Sequence, residues 1–136
     1  MDKRNPPTTF GVFKPVGHTV ISFRTQEELR SAMRSLSALG FVDSAMVDYS
    51  APEFLVLATA ELQAAGPLAN FGYELDLLRL QQGLAQEGCC FLIVHAPDEV
   101  QADRVAALVG SMQPVSAQHY GRFLIQDLTE TAPGRP

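Results

Sequence analysis

At 136 residues the chain is long enough for one domain with a real core. Hydrophobic residues make up 46% and charged residues 18%, the balance of a folded, water-soluble protein rather than a disordered one. The net charge of −5 argues against a nucleic-acid surface, which needs clustered Lys and Arg. No apolar run approaches the roughly 20 residues that span a bilayer, and the opening MDKRNPPTTFGVFKP has no signal-peptide core. The two cysteines are adjacent, so they are not a disulfide framework. By default these features point to the cytoplasm, with no membrane and no nucleic-acid partner.

Residues 1–16 carry three prolines and no periodicity. They read as a flexible arm, with Phe10, Val12 and Phe13 docking at its end. His18 to Phe23 is the first predicted strand. Thr25-Gln26-Glu27-Glu28 fits a capping box, in which the Thr hydroxyl accepts from the third helical N–H and the Glu reaches back. The helix that follows carries Leu29, Ala32, Met33, Leu36 and Leu39 on one face, and Gly40 is its left-handed stop. Val42 to Tyr49 is a second strand, more polar and suited to a sheet edge.

Residues 50–88 form an insertion. Ser50 caps a helix with Pro52 and Glu53 in its first turn, continuing to about Ala65. Gly66-Pro67 breaks it, and a second helix runs from about Phe71 to Glu87. Leu75, Leu77, Leu78, Leu80 and Leu84 spread over more than one of its faces, too apolar to stand in water. This hairpin, or a dimer formed through it, is expected to close the open face of the sheet.

Phe91 to Val94 is a short unbroken apolar run, the mark of a strand buried on both faces. Pro97 at a first helical position, with Asp98 and Glu99 at the positive end of the dipole, predicts a helix start. Val105, Leu108, Val109 and Met112 continue it as a stripe, and Gly110 and Pro114 suit its exit. Val115 to Tyr120 is the fourth strand. Gly121 to Leu128 adds a short fifth strand, with Phe123 and Ile125 on one side. Residues 129–136 read as a disordered tail.

Residues 18–49 repeat the outline of 89–120 at an offset of 71, with Tyr49 falling on Tyr120. Two such units give an α+β fold: a ferredoxin-like βαβ-(αα)-βαβ, residues 17–128, with an antiparallel four-stranded sheet and an inserted helical hairpin. The ribbons at 20–23 and 91–94 are expected to lie side by side and run the same way. That layout sets His18 and His119 at one sheet end and His95 at the opposite end.

No Walker loop, GxGxxG, HExxH, paired CxxC or nucleophile elbow is present, so no cofactor and no catalytic residue is assigned. His18, His119, Tyr120 and Arg122 are the candidate ligand-binding set, suited to a small anion or a metal. Two histidines without a near carboxylate or thiol make a poor metal set, so no metal is assigned. The alternatives are ordinary strand-end histidines, a Tyr120 covering the core edge, and an Arg122 paired with Asp127. Cys89 and Cys90 on one strand point to opposite faces and read as small buried apolar residues.

The segment SFRTQEELRSAMRSLSALGFVDSAMVDYS, with its turn Ala38-Leu39-Gly40-Phe41, resembles the opening βαβ of the bacterial general stress protein, YflT-type domain. The pieces FGYELDLLRLQQGLAQEGCCFLIVHAPDEVQADRV and HYGRF resemble parts of proteobacterial proteins of similar length. The likeness covers about residues 18–121 and implies a stress-associated role without catalytic residues. The expected function is therefore a non-enzymatic regulatory or interaction protein, forming a homodimer or higher homo-oligomer through the 71–87 helix or the open sheet face. Two alternatives stay open: a small-ligand binding module at the sheet end near His18, His119 and Tyr120, and a dimeric α+β barrel-type enzyme with a His or Tyr acid-base.

Overall fold

The computed structural model describes residues 3, 8–9, 12–13, 15–65 and 72–129. The expected docking of Phe10, Val12 and Phe13, the Gly66-Pro67 break and the tail beyond residue 129 lie outside what it describes. The elements are Thr8–Thr9 (β1), Val12–Phe13 (β2), His18–Phe23 (β3), Gln26–Ala38 (α1), Met46–Tyr49 (β4), Ala51–Ala65 (α2), Tyr73–Gln86 (α3), Cys90–His95 (β5), Glu99–Met112 (α4), Ser116–Tyr120 (β6) and Ile125–Asp127 (β7). β1 and β2 pair with each other within the arm; their β-branched and aromatic residues favour strands.

The other five strands form one sheet in the order β4–β5–β3–β6–β7, with every neighbouring pair antiparallel. To the expected four strands the short C-terminal strand is added as a fifth, β7, at the edge beyond β6. The expectation that residues 20–23 and 91–94 are neighbours holds, but their direction is corrected: Val20 pairs with Ile93 in an antiparallel ladder. The reason lies in the insertion. Leu75 packs with Leu62 and Ala65, and Gln82 donates to Thr59 (3.1 Å), so α2 and α3 lie antiparallel. The pair returns the chain to the sheet end it left, and β5 begins opposite the end of β4, with Tyr49 facing Phe91.

Local signals explain most boundaries. The Thr25 hydroxyl accepts from the Glu28 N–H (3.1 Å) and donates to the Glu28 carboxylate (3.3 Å). Ser50 and Glu53 make a reciprocal box at the start of α2: the Ser hydroxyl accepts from the Glu53 N–H (3.2 Å) and the Glu carboxylate from the Ser50 N–H (2.8 Å). Gly40 takes φ 99°, and the Phe41 N–H reaches back to the Leu36 carbonyl (3.1 Å), which closes α1. Three boundaries differ from expectation. Asp43–Ala45 take a 3-10 turn, so the second strand starts only at Met46. Asp98 is the cap of α4, its carboxylate accepting from the Gln101 N–H (2.8 Å), which places Pro97 before the helix. Gly110 lies inside α4, and Gln113 (φ 53°) makes the left-handed exit.

Each sheet face carries its own core. Ile21, Phe23, Leu92, Val94 and Ala117 pack under Leu29, Leu36, Val105 and Val109 of α1 and α4. Val20, Val47, Tyr49, Phe91, Ile93 and Tyr120 pack under Phe54, Ala58, Leu77, Leu78 and Ala85 of α2 and α3. The face expected to be open is thus covered by the chain's own hairpin, which explains why residues 91–94 are apolar without alternation. No helix among the described residues is long and apolar enough to cross a membrane.

Candidate functional site at one end of the sheet

The antiparallel register gathers all three histidines at one sheet end. His95 is not at the opposite end, as expected, but directly opposite His18, with ring centroids 4.7 Å apart and planes tilted by 38°. Gly17 fixes this arrangement. With φ 80° it donates its N–H to the Tyr120 carbonyl (2.7 Å) and accepts from the Ala96 N–H (2.9 Å), tying the ends of β5 and β6 to the start of β3. Few side chains adopt that φ.

His18 is half-buried, and its Nδ1 lies 3.0 Å from the Val16 carbonyl. A carbonyl only accepts, so Nδ1 carries the proton and Nε2 holds the lone pair. Burial lowers the His18 pKa below its ordinary 6.5; the Val16 bond opposes this, and His95 and, more weakly, His119 add to it. His119 pairs with Thr19 in the β3–β6 ladder and so faces the α1/α4 side, one register step from His18. Its Nδ1 shares a hydrogen bond with the Thr19 hydroxyl (2.8 Å), and burial lowers its pKa as well.

The other two expected site residues have different surroundings. Tyr120 is 1% exposed and shares the His18 face. Gln81 of α3 donates from Nε2 to the Tyr120 hydroxyl (3.2 Å) and to Gln118 Oε1 (3.2 Å), and burial raises the phenol pKa well above 10. Arg122 is exposed in the β6–β7 connection. Its suggested partner, Asp127, accepts from the N–H and hydroxyl of Thr129 (3.0 and 2.7 Å). Of the four, His18 and Tyr120 are brought to one face, His119 to the other, and Arg122 to the rim.

Sequence reasoning missed two residues here. A cleft of about 300 Å³ lies between the α1 exit and α4, bordered by Leu39, Gly40, Phe41, Val42, Ala45, His95, Gln101 and Arg104. Arg104 donates to the Leu39 carbonyl (3.2 Å), which holds its guanidinium against the α1 exit. The buried Oε1 of Gln101 has no hydrogen-bond partner. A readable signal existed: Gln101 and Arg104 sit three apart in the first turns after His95, on one helical face. A second cleft of about 370 Å³, at the other sheet end, is bordered by Arg24, Glu87 and Cys89.

The cysteines behave as read. Cys89 packs into the core under α2 and α3 and Cys90 into the core under α1 and α4, so they face opposite sides of the sheet. Burial raises both thiol pKa values, which disfavours the reactive thiolate. Both are expected to resist iodoacetamide in the native protein at neutral pH and to react fully in guanidinium, as read by mass spectrometry. Rapid native labelling of either would contradict this burial.

The two lowered imidazole pKa values also set a pH dependence. The unfolded chain protonates near the ordinary value of 6.5, before the folded protein does. Their contribution to stability is therefore present above 6.5 and is lost as pH falls from that value through the lower folded values. Urea midpoints are expected to drop between about pH 7.5 and about pH 5.5, and the His18→Gln/His119→Gln variant to show a flatter dependence. An unchanged slope in the double variant would assign the drop to other groups.

Among the described residues no group of three or more His, Cys, Asp or Glu is placed to hold a metal ion. No family model, no curated protein and no solved structure matches this chain.

Proposed function

We propose that this protein is a non-enzymatic binding module that takes a small anionic ligand at the His95 end of its sheet. The observation that carries the reading is the cleft in which His95, Gln101 and Arg104 stand together against the α1 exit. The Arg104 guanidinium supplies donors to a carboxylate or phosphate, and the unpartnered Gln101 oxygen offers an acceptor to a ligand hydroxyl or amine. About 300 Å³ is the lower end of the range for small-molecule sites. Adding inorganic phosphate or succinate at millimolar concentration should shift the amide NMR signals of Gly40, Ala96 and Gln101, and Arg104→Ala should abolish those shifts. Silence from both ligands would overturn the reading.

The fold assignment behind it is the ferredoxin-like arrangement. Its support is that β3 and β4 enclose β5 while β5 and β6 enclose β3, with β7 added at one edge. The YflT-type resemblance suggests a cytoplasmic, stress-associated setting for such a module.

A second reading, a protein-interaction role, is favoured by Phe123 and Leu124, which are 94% and 73% exposed in the β6–β7 connection at the same sheet end. Self-association through α3 has weaker support, from Tyr73 and Leu80 at 54% and 56% exposure. Phe123→Ser would leave ligand-induced shifts intact while weakening any association seen by sedimentation.

A further inference from the structure

The β3–β5 register sets two imidazoles side by side at the sheet end. His95 is exposed and His18 only half-buried, yet the register holds the two rings 4.7 Å apart. Two imidazoles side by side gain little in water and repel once both are protonated, so the pair is a candidate for a bound cation.

We propose that His18 and His95 form an open two-imidazole site for a divalent first-row transition ion, with water completing its coordination. Two features support it. First, the His18 Nδ1–H is held by the Val16 carbonyl (3.0 Å), which fixes the ring and leaves Nε2 as the donor, the usual outer-shell support of a metal-bound histidine. Second, the ring separation fits. With metal–nitrogen distances near 2.0–2.1 Å, two tetrahedrally placed imidazoles have ring centres about 5 Å apart; here the distance is 4.7 Å.

His119 takes no part, because it faces the other side of the sheet and is engaged with Thr19. With two protein ligands the site is exchangeable rather than structural. Imidazole ligation favours Zn, Ni and Cu over Mg or Ca. The inference does not rest on the cleft reading, although His95 borders both: Arg104 contributes nothing to the metal, and His18 does not line the cleft.

Calorimetric titration of the metal-free protein with Zn²⁺ and Ni²⁺ tests it, with His18→Gln, His95→Gln and His119→Gln variants alongside. The expected result is one saturable ion per chain, at least about tenfold weaker binding in either His18→Gln or His95→Gln, and unchanged binding in His119→Gln and Arg104→Ala. All three imidazoles lie at a strand end, and native-like circular dichroism confirms that each variant folds. NMR adds a readout independent of affinity, since Zn²⁺ should shift the ring signals of His18 and His95 but not His119. No saturable binding, or binding that survives His18→Gln, would overturn the proposal.

Discussion

Phe54→Ala should lower the stability of this protein by about 3–5 kcal/mol, a large share of the 5–15 kcal/mol typical of a single domain. Phe54 is fully buried and stacks on Phe91, with centroids 3.8 Å apart and planes within 12°. Tyr49 meets it edge-on at 5.7 Å. These three rings join the first helix of the insertion to the edge strand β4 and to the central strand β5. Removing the middle ring leaves a void walled by β5 and α2, which cannot collapse without moving the hairpin. Phe54→Leu keeps most of the volume and should cost under half as much. Urea unfolding at matched m-values measures both. Because the hairpin covers its own sheet, the wild-type midpoint should not change with protein concentration. A loss below about 1 kcal/mol for Phe54→Ala would mean that the ring does not bear on the sheet as described.

The same contacts show what a sequence discloses and what it withholds. Phe91 to Val94 read as a strand covered on both faces, and the structure supplies both covers, one core on each side. The caps at Thr25 and Ser50 and the left-handed Gly40 were legible because each is a local bond pattern within four residues. Strand direction was not legible from β3 or β5 themselves, since burial on two faces says nothing about polarity. It follows from the parity of the insertion: two antiparallel helices bring the chain back to the end it left, so β5 opposes β4 and therefore β3. That one inversion moved His95 beside His18 and changed which imidazoles are neighbours. Val42 to Ala45 failed as strand because Asp43 and Ser44 favour a turn, an order that the alternation hid. Phe123, expected to share a face with Ile125, is nearly fully exposed, because the strand begins only at Ile125 and the preceding residues turn outward. Gln101 and Arg104 went unread because their shared helical face says nothing of what it meets, and the cleft depends on two segments about 60 residues apart coming together.

Gln81→Glu should cost roughly 3–5 kcal/mol at neutral pH, far more than the shape-matched Gln81→Leu. Gln81 is fully buried in a helix otherwise read for its leucines, and it faces the sheet, not solvent. Its amide nitrogen donates to Gln118 and to Tyr120, while its own oxygen is buried without a hydrogen-bond partner. A carboxylate there would lose both donated bonds and face the Gln118 oxygen, with no cation bonded to Gln118 or Gln81 among the described residues. Its pKa must therefore rise in the folded protein. The penalty is absent below the unfolded glutamate value of about 4.3 and grows as pH climbs from there to the folded pKa. The stability of Gln81→Glu should thus fall steeply above about pH 4.5, against a nearly flat difference between Gln81→Leu and wild type. Gln81→Leu removes two donated bonds but also the orphaned oxygen, so its loss should stay near 1–2 kcal/mol. Adding Gln118→Leu removes the acceptor left behind and should recover part of that loss, a coupling that a double-mutant cycle reads directly. A Gln81→Glu variant as stable at neutral pH as Gln81→Leu would show that water reaches this seam, and that α3 does not seal the sheet beside Tyr120.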